Sequence, residues 1–172
     1  CSSYLCEKTL TIFKKLRPEY EHIGTVLQSY LYRTVDDIKE LDQYNPNLRL
    51  VKGAYKESPK VAFPDKKDVD ENLKKIIKIH LLNGNYTAVA SHDDQIIEYT
   101  KQLVEEHQIS KDQFEFQMLY GIRVDRRRGL VEEGYKMRVY VPYGKDWYGY
   151  FMRRLAERPA NVAFVLKGVF GK

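Results

Sequence analysis

The sequence predicts an α/β fold, five βα units of a partial TIM-type (βα)8 barrel. Three observations predict it. Helical and strand-like periodicities alternate along the chain, the pattern of parallel strands joined by crossover helices. No glycine-rich fingerprint follows any strand, which weakens the dinucleotide-binding open sheet. Polar and aromatic residues gather where the strands end: Gln28 and Tyr30, Lys52 and Tyr55, Ser91 to Asp93, Gln117 and Tyr120, Arg138 and Tyr140. Functional groups at C-terminal strand ends are the barrel pattern. Five units do not close an eight-stranded barrel, so the missing strands are expected upstream of Cys1.

The elements follow in order. "LCEKTLTIFKKL" carries Leu5, Leu10, Ile12, Phe13 and Leu16 at helical spacing, and Pro18 is a stop signal. "GTVLQSYLY" is β-rich and reads as a strand. "TVDDIKELDQY" reads as a short helix, with Thr34 as N-cap and Asp37 placed like a capping-box acid. "LRLVKGAY" is the second strand. In "DVDENLKKIIKIHLLNG", Leu73, Ile76, Ile77 and His80 form one stripe, and Gly84 marks the end. "YTAVASHD" is a strand, "DQIIEYTKQLVEEHQ" a helix and "FEFQMLYG" a strand. "VDRRRGLVEEG" predicts a short, irregular helix and "YKMRVYVPYG" the fifth strand. "DWYGYFMRRLAER" predicts a last helix capped by Asp146, and "ANVAFVLKGVFGK" an apolar tail.

The totals are those of one globular domain: 172 residues, 43% hydrophobic and 31% charged. The expected domain is the whole of 1–172. No apolar run is long enough to cross a membrane. The net charge of +5 is modest and does not argue for nucleic acid. Cys1 and Cys6 read as free thiols. No two histidines share ligand spacing, so no metal site is expected. No Ser-His-Asp or Cys-His arrangement emerges either.

Several residues stand out. "RLVKGAY" puts Arg49 and Lys52 in a strand that otherwise reads as buried, where a charge needs a partner. Gln28 is polar inside an apolar strand; it either satisfies a backbone group or holds a planar ligand. Glu115 and Gln117 alternate with Phe114, Phe116 and Met118, giving that strand one polar and one apolar face. In a barrel that polar face turns inward, and Glu115 is expected to pair with Arg49 or Arg138. His92 in "SHD" reads either as a ligand contact or as a bystander at a helix start capped by Asp93 or Asp94. His22, His80 and His107 read as surface or helix-face residues. In "YFMRR", Tyr150 stands one turn from Arg153 and Arg154. Two guanidiniums suit a carboxylate, and a solvated basic helix face is the default alternative. Arg126 to Arg128 read as a solvated helix start relieved by Glu132 and Glu133.

Taken in order, "VLQSYLYRT", "RLVKGAY", "ASHD", "FEFQMLYGIR", "RVYVPYG" and "YFMRRLAER" closely resemble the proline dehydrogenase family, in its monofunctional bacterial form. Each motif alone is weak; all six in order, at βα spacing, are specific. The resemblance runs over essentially the whole chain. It implies the C-terminal five βα units of a distorted (βα)8 barrel. It implies oxidation of L-proline to Δ1-pyrroline-5-carboxylate with FAD as cofactor and a membrane quinone as electron acceptor. A separate pyrroline-5-carboxylate dehydrogenase would take the product. A cytoplasmic location is implied, with peripheral contact on the inner face of the cell membrane left open.

Carried over by motif, Arg49 is the catalytic cation against the flavin. Leu27, Gln28, Lys52, Gly53, Ala54, Ser91 and His92 join it in the cofactor site. Arg153 and Arg154 clamp the proline carboxylate, with Tyr140, Tyr150 and Leu119 around the ring. The family's early strands supply a Lys and an Asp that complete the proline site, and neither strand is in this chain. Lys56 also follows Tyr55 where some relatives carry Trp. The rival hypotheses are a non-catalytic half-barrel retained for binding, and a polyanion-binding basic domain.

Overall fold

The computed structural model describes residues 3–53, 57–141, 143–145 and 149. The chain divides into two compact units, Cys1–Val139 and Tyr140–Lys172. The predicted last helix and apolar tail lie outside the described residues.

The first unit alternates as expected: α1 (Ser3–Leu16), β1 (Gly24–Gln28), α2 (Thr34–Leu41), β2 (Asn47–Val51), α3 (Lys66–Leu82), β3 (Thr87–Ala90), α4 (Asp94–Glu106), β4 (Phe114–Leu119), α5 (Val124–Glu132) and the start of β5 (Met137–Tyr140). The strands lie in sequence order in one sheet. β1 through β4 pair parallel. Phe116 N–H donates to the Lys136 carbonyl at 2.9 Å, at the entry to β5. The fold class is therefore the expected one, an α/β arrangement of parallel strands and crossover helices.

Strand alternation sorts the side chains onto two faces. Leu27, Leu48, Leu50, Val89, Phe114, Phe116 and Met118 form one face of the core. Ile38 and Leu41 from α2, Leu73, Ile76 and Ile77 from α3, and Ile96 and Ile97 from α4 close over it. Burying each such side chain contributes about 1.5–3 kcal/mol, so this layer is the main source of cohesion. On the opposite face, parallel register sets Val26 beside Arg49, Arg49 beside Ala88, and Ala88 beside Glu115. Further along, Gln28 stands beside Val51, and Ala90 beside Gln117. The polar face of β4 is thus part of a row crossing the sheet.

Several local expectations change. Thr34 is the first residue of α2 rather than its N-cap; Arg33 holds that position. The Thr34 hydroxyl instead donates to the Gln28 carbonyl at 2.6 Å, tying α2 to the end of β1. Asp37 accepts from Arg33 Nε at 2.9 Å instead of closing a capping box. β1 ends at Gln28, where the Leu31 N–H donates to the Gln28 carbonyl and closes a turn, while Ser29 and Tyr30 still donate their N–H groups to the carbonyls of Val51 and Lys52. α1 buries Cys6, Leu10 and Phe13, whereas Leu5, Ile12 and Leu16 remain exposed. α5 is a regular helix rather than an irregular one. His80, of the two readings given for it, takes the helix-face one and is wholly buried on the α3 stripe. Its Nε2 lies 3.3 Å from the Tyr86 carbonyl. Desolvation lowers its pKa to about 4.

Candidate active site

The site is built from the polar row and the strand ends above it. Glu115 is its anchor, buried to 5% exposure on β4. Arg138 grips it with two bonds, Nε to Oε1 at 2.6 Å and NH2 to Oε2 at 3.0 Å. The Tyr86 hydroxyl donates to Oε2 at 3.0 Å, and Gln117 Nε2 donates to Oε1 at 2.5 Å. Desolvation pushes the Glu115 carboxyl up, but the bonds from Arg138, Gln117 and Tyr86 outweigh it and hold the group below the usual range. Desolvation and the Glu115 charge push Tyr86 up to about 12. Gln117 then accepts from Arg49 Nε at 2.7 Å. The expected pairing of Glu115 is therefore with Arg138 directly and with Arg49 through one amide.

Lys52 follows β2 and has a different fate. Its ammonium lies 2.5 Å from Asp70 of α3 and 2.6 Å from Asp93 at the start of α4. Lys66 also pairs with Asp70. Desolvation raises both carboxyls, and the bonds from Lys52 reverse the shift, so both end low. The charge of Lys52 thus has an answer within the fold. Sequence reasoning placed Asp93 at a helix start but missed Asp70. The only local signal for Asp70 is an acid near the start of an amphipathic helix. Beside Lys52, Gly53 takes φ +104°, and a Cβ there would come within 2.2 Å of the Tyr30 ring. Glycine is required for that approach.

At the ends of β3 and β4 two expected site residues meet. The Leu119 N–H donates to His92 Nε2 at 3.0 Å. An accepting Nε2 places the ring proton of a neutral His92 on Nδ1. Arg123 donates to the His92 carbonyl and grips Asp94, fixing this corner from the other side. Ser91 is buried and its hydroxyl accepts from Asp93 N–H at 3.2 Å. The Asp93 side chain accepts from Gln95 N–H, making Asp93 the N-cap of α4. Arg126 pairs with Glu98 of α4 and with Asp94 and Glu133, so part of the basic run is tied to neighbouring acids.

Not every expected residue joins this face. The Leu27 side chain lies in the helix-covered core, so any cofactor contact it makes comes from its backbone. Gln28 shares the face of Arg49, with its amide 3.7 Å from Cys6 Sγ. Tyr140, in the second unit, is exposed. Ala54, Tyr150, Arg153 and Arg154 lie outside the described residues. Among the described residues, no cluster of three or more His, Cys, Asp or Glu is placed for a metal.

The polar face suits a flavin. An isoalloxazine is a flat, largely apolar ring with a polar edge, and it gains negative charge on reduction. Arg49 is flanked in register by Val26 and Ala88, an apolar bed beside a fixed cation.

Comparison with known proteins gives the family. Residues 3–167 match the family model described as Proline dehydrogenase. Proline dehydrogenase 2 of Bacillus subtilis (strain 168) is 68% identical over 167 residues, 97% of this chain and 55% of that protein. Proline dehydrogenase 1 of the same strain is 63% identical over 166 residues, 96% of this chain and 55% of that protein. Among solved structures, proline utilization A from Bdellovibrio bacteriovorus superposes with a TM-score of 0.78 at 30% identity, covering 86% of this chain and 18% of that one. The chain spans about half the length of the curated relatives it matches. By the family match over 3–167, the chain belongs to the proline dehydrogenase family.

Proposed function

We propose that this chain forms one wall of an FAD-dependent proline dehydrogenase, which oxidises L-proline to Δ1-pyrroline-5-carboxylate. The observation that carries the reading is Arg49, a guanidinium held by Gln117 on the polar face of a sheet whose family is proline dehydrogenase. Bound FAD supplies the two-electron acceptor. With FAD bound, the Arg49 guanidinium would stabilise negative charge on the ring and so favour its reduction. Gln28 contributes polar contacts on the same face, while His92 and Ser91 shape the strand ends beside it. Arg153 and Arg154 bind the substrate carboxylate, with Tyr140, Tyr150 and Leu119 enclosing the apolar ring; holding proline in one pose is catalysis by positioning. Electrons pass to a membrane quinone at the inner face of the cell membrane, and a separate dehydrogenase consumes the product. Among the described residues no helix is long and apolar enough to cross a membrane.

The test uses the complete reading frame that contains this chain. The purified protein is expected to be yellow, and L-proline under anaerobic conditions to bleach it. Arg154→Ala is expected to raise the KM for proline strongly with flavin retained. A colourless protein that stays inert after FAD is added would overturn the reading.

A further inference from the structure

We propose that Gln117 is a positioning residue for Arg49, acting as a one-way amide relay anchored on Glu115; the inference rests on Arg49 facing the flavin. The direction of the relay follows from the donor inventory. Glu115, held ionised, only accepts, and it already takes bonds from Arg138 and Tyr86. The Gln117 amide must therefore turn its NH2 group toward Glu115 Oε1, as observed at 2.5 Å. That leaves the amide oxygen on the other side. Arg49 Nε–H only donates, and it meets that oxygen at 2.7 Å. A flipped amide would set NH2 against N–H at one end and oxygen against carboxylate at the other. Both mismatches are costly at a site where Gln117 and Glu115 are each 5% exposed.

The geometry gives Gln117 a task that a carboxylate or an apolar residue would do badly. An amide fixes the guanidinium direction without adding a charge beside it. A glutamate there would offset part of the Arg49 charge and repel Glu115. A methionine would fill the space and leave Nε without this acceptor. Both predict a weaker cation at the flavin with the cofactor still seated.

The experiment is a double-mutant cycle in the complete, flavin-loaded protein, with Gln117→Met and Arg49→Met. The readouts are flavin content, the flavin midpoint potential and the rate of flavin reduction by proline. Gln117→Met is expected to keep its flavin, lower the midpoint potential and slow reduction on the order of tenfold, as for a displaced positioning group. In the Arg49→Met background the same change is expected to add little, since coupled residues are non-additive. Gln117→Glu, nearly isosteric, is the second variant, expected to keep its flavin and to lower the midpoint potential by its added charge. Additive effects in a parent that proline bleaches overturn this inference alone. A parent that proline does not bleach overturns both the inference and the functional reading. Loss of flavin from both Gln117 variants also overturns it, because a positioning residue leaves the cofactor bound.

Discussion

Lys52 Nζ lies 2.5 Å from Asp70 Oδ1, and the two side chains are only 12% and 10% exposed. With Asp93 on the other side, this ammonium joins the exit of β2 to the starts of α3 and α4. Removing one member of a buried ion set costs more than the set itself contributes, because the remaining charges stay desolvated. Lys52→Met leaves Asp70 and Asp93 with only the exposed Lys66 between them and is expected to destabilise the protein by about 3 kcal/mol. Asp93→Asn should cost less, since Asp70 remains. Urea unfolding of the two variants checks the order; a Lys52→Met protein as stable as the parent would show that the pairing does not hold this corner.

Gly53→Ala is expected to be more damaging than a surface glycine change. Its φ of +104° strains any Cβ, and the Tyr30 ring occupies the space. Gly84→Ala meets no neighbour and provides the control for backbone strain alone, at φ +81°. The excess loss in Gly53→Ala should be partly recovered in a Tyr30→Ala background. Thermal unfolding of the parent and these variants measures it.

His80 makes the fold sensitive to mild acid. Its pKa falls from 6.5 in the unfolded chain to about 4 in the fold. Between those values the unfolded chain binds more protons, so stability is complete above pH 6.5 and declines as pH falls toward 4. The whole shift corresponds to about 3 kcal/mol. The lowered carboxyls of Glu115, Asp70 and Asp93 act in the same direction, but only as pH drops past their unfolded values of 4.5 and 3.8. Between 6.5 and 4.5 the burial of His80 therefore lowers stability before those carboxyls act. His80→Leu is expected to flatten the stability profile there, and an unchanged slope would refute the assignment.

His92→Phe is expected to cost about 1–2 kcal/mol, because the Leu119 N–H loses its acceptor at a partly buried strand end. His92→Gln, able to present an oxygen, should recover part of that loss. In the parent, nitrogen NMR shifts of the ring are expected to show an unprotonated Nε2. A protonated Nε2 at neutral pH would contradict the bond.

Periodicity made the sheet legible. The stripes of α3 and α4 and the alternation of β4 each require burial on one side, so the helices and strands were readable within a few residues. The Glu115–Arg138 pair was readable too, since a buried carboxylate needs a cation and few were on offer. Lys52 was harder. Its partners come from α3 and α4, and only the crossover topology brings them to the end of β2. Thr34 misled because a capping pattern in sequence does not say where the preceding strand will end. His80 was placed on the right stripe, but a histidine beside lysines gives no sign that it will be wholly enclosed.

β4 is buried on both sides, yet its two sides are chemical opposites. A slide of one residue against β3 would drive Glu115 and Gln117 into the leucine layer and turn Phe114 and Phe116 toward Arg49 and Arg138. Neither side tolerates the exchange, since the first strands two polar groups in oil and the second parts Arg138 from Glu115 and Arg49 from Gln117. The polar row consequently works as an alignment lock during folding: a misthreaded sheet cannot gain its core without first losing its charges.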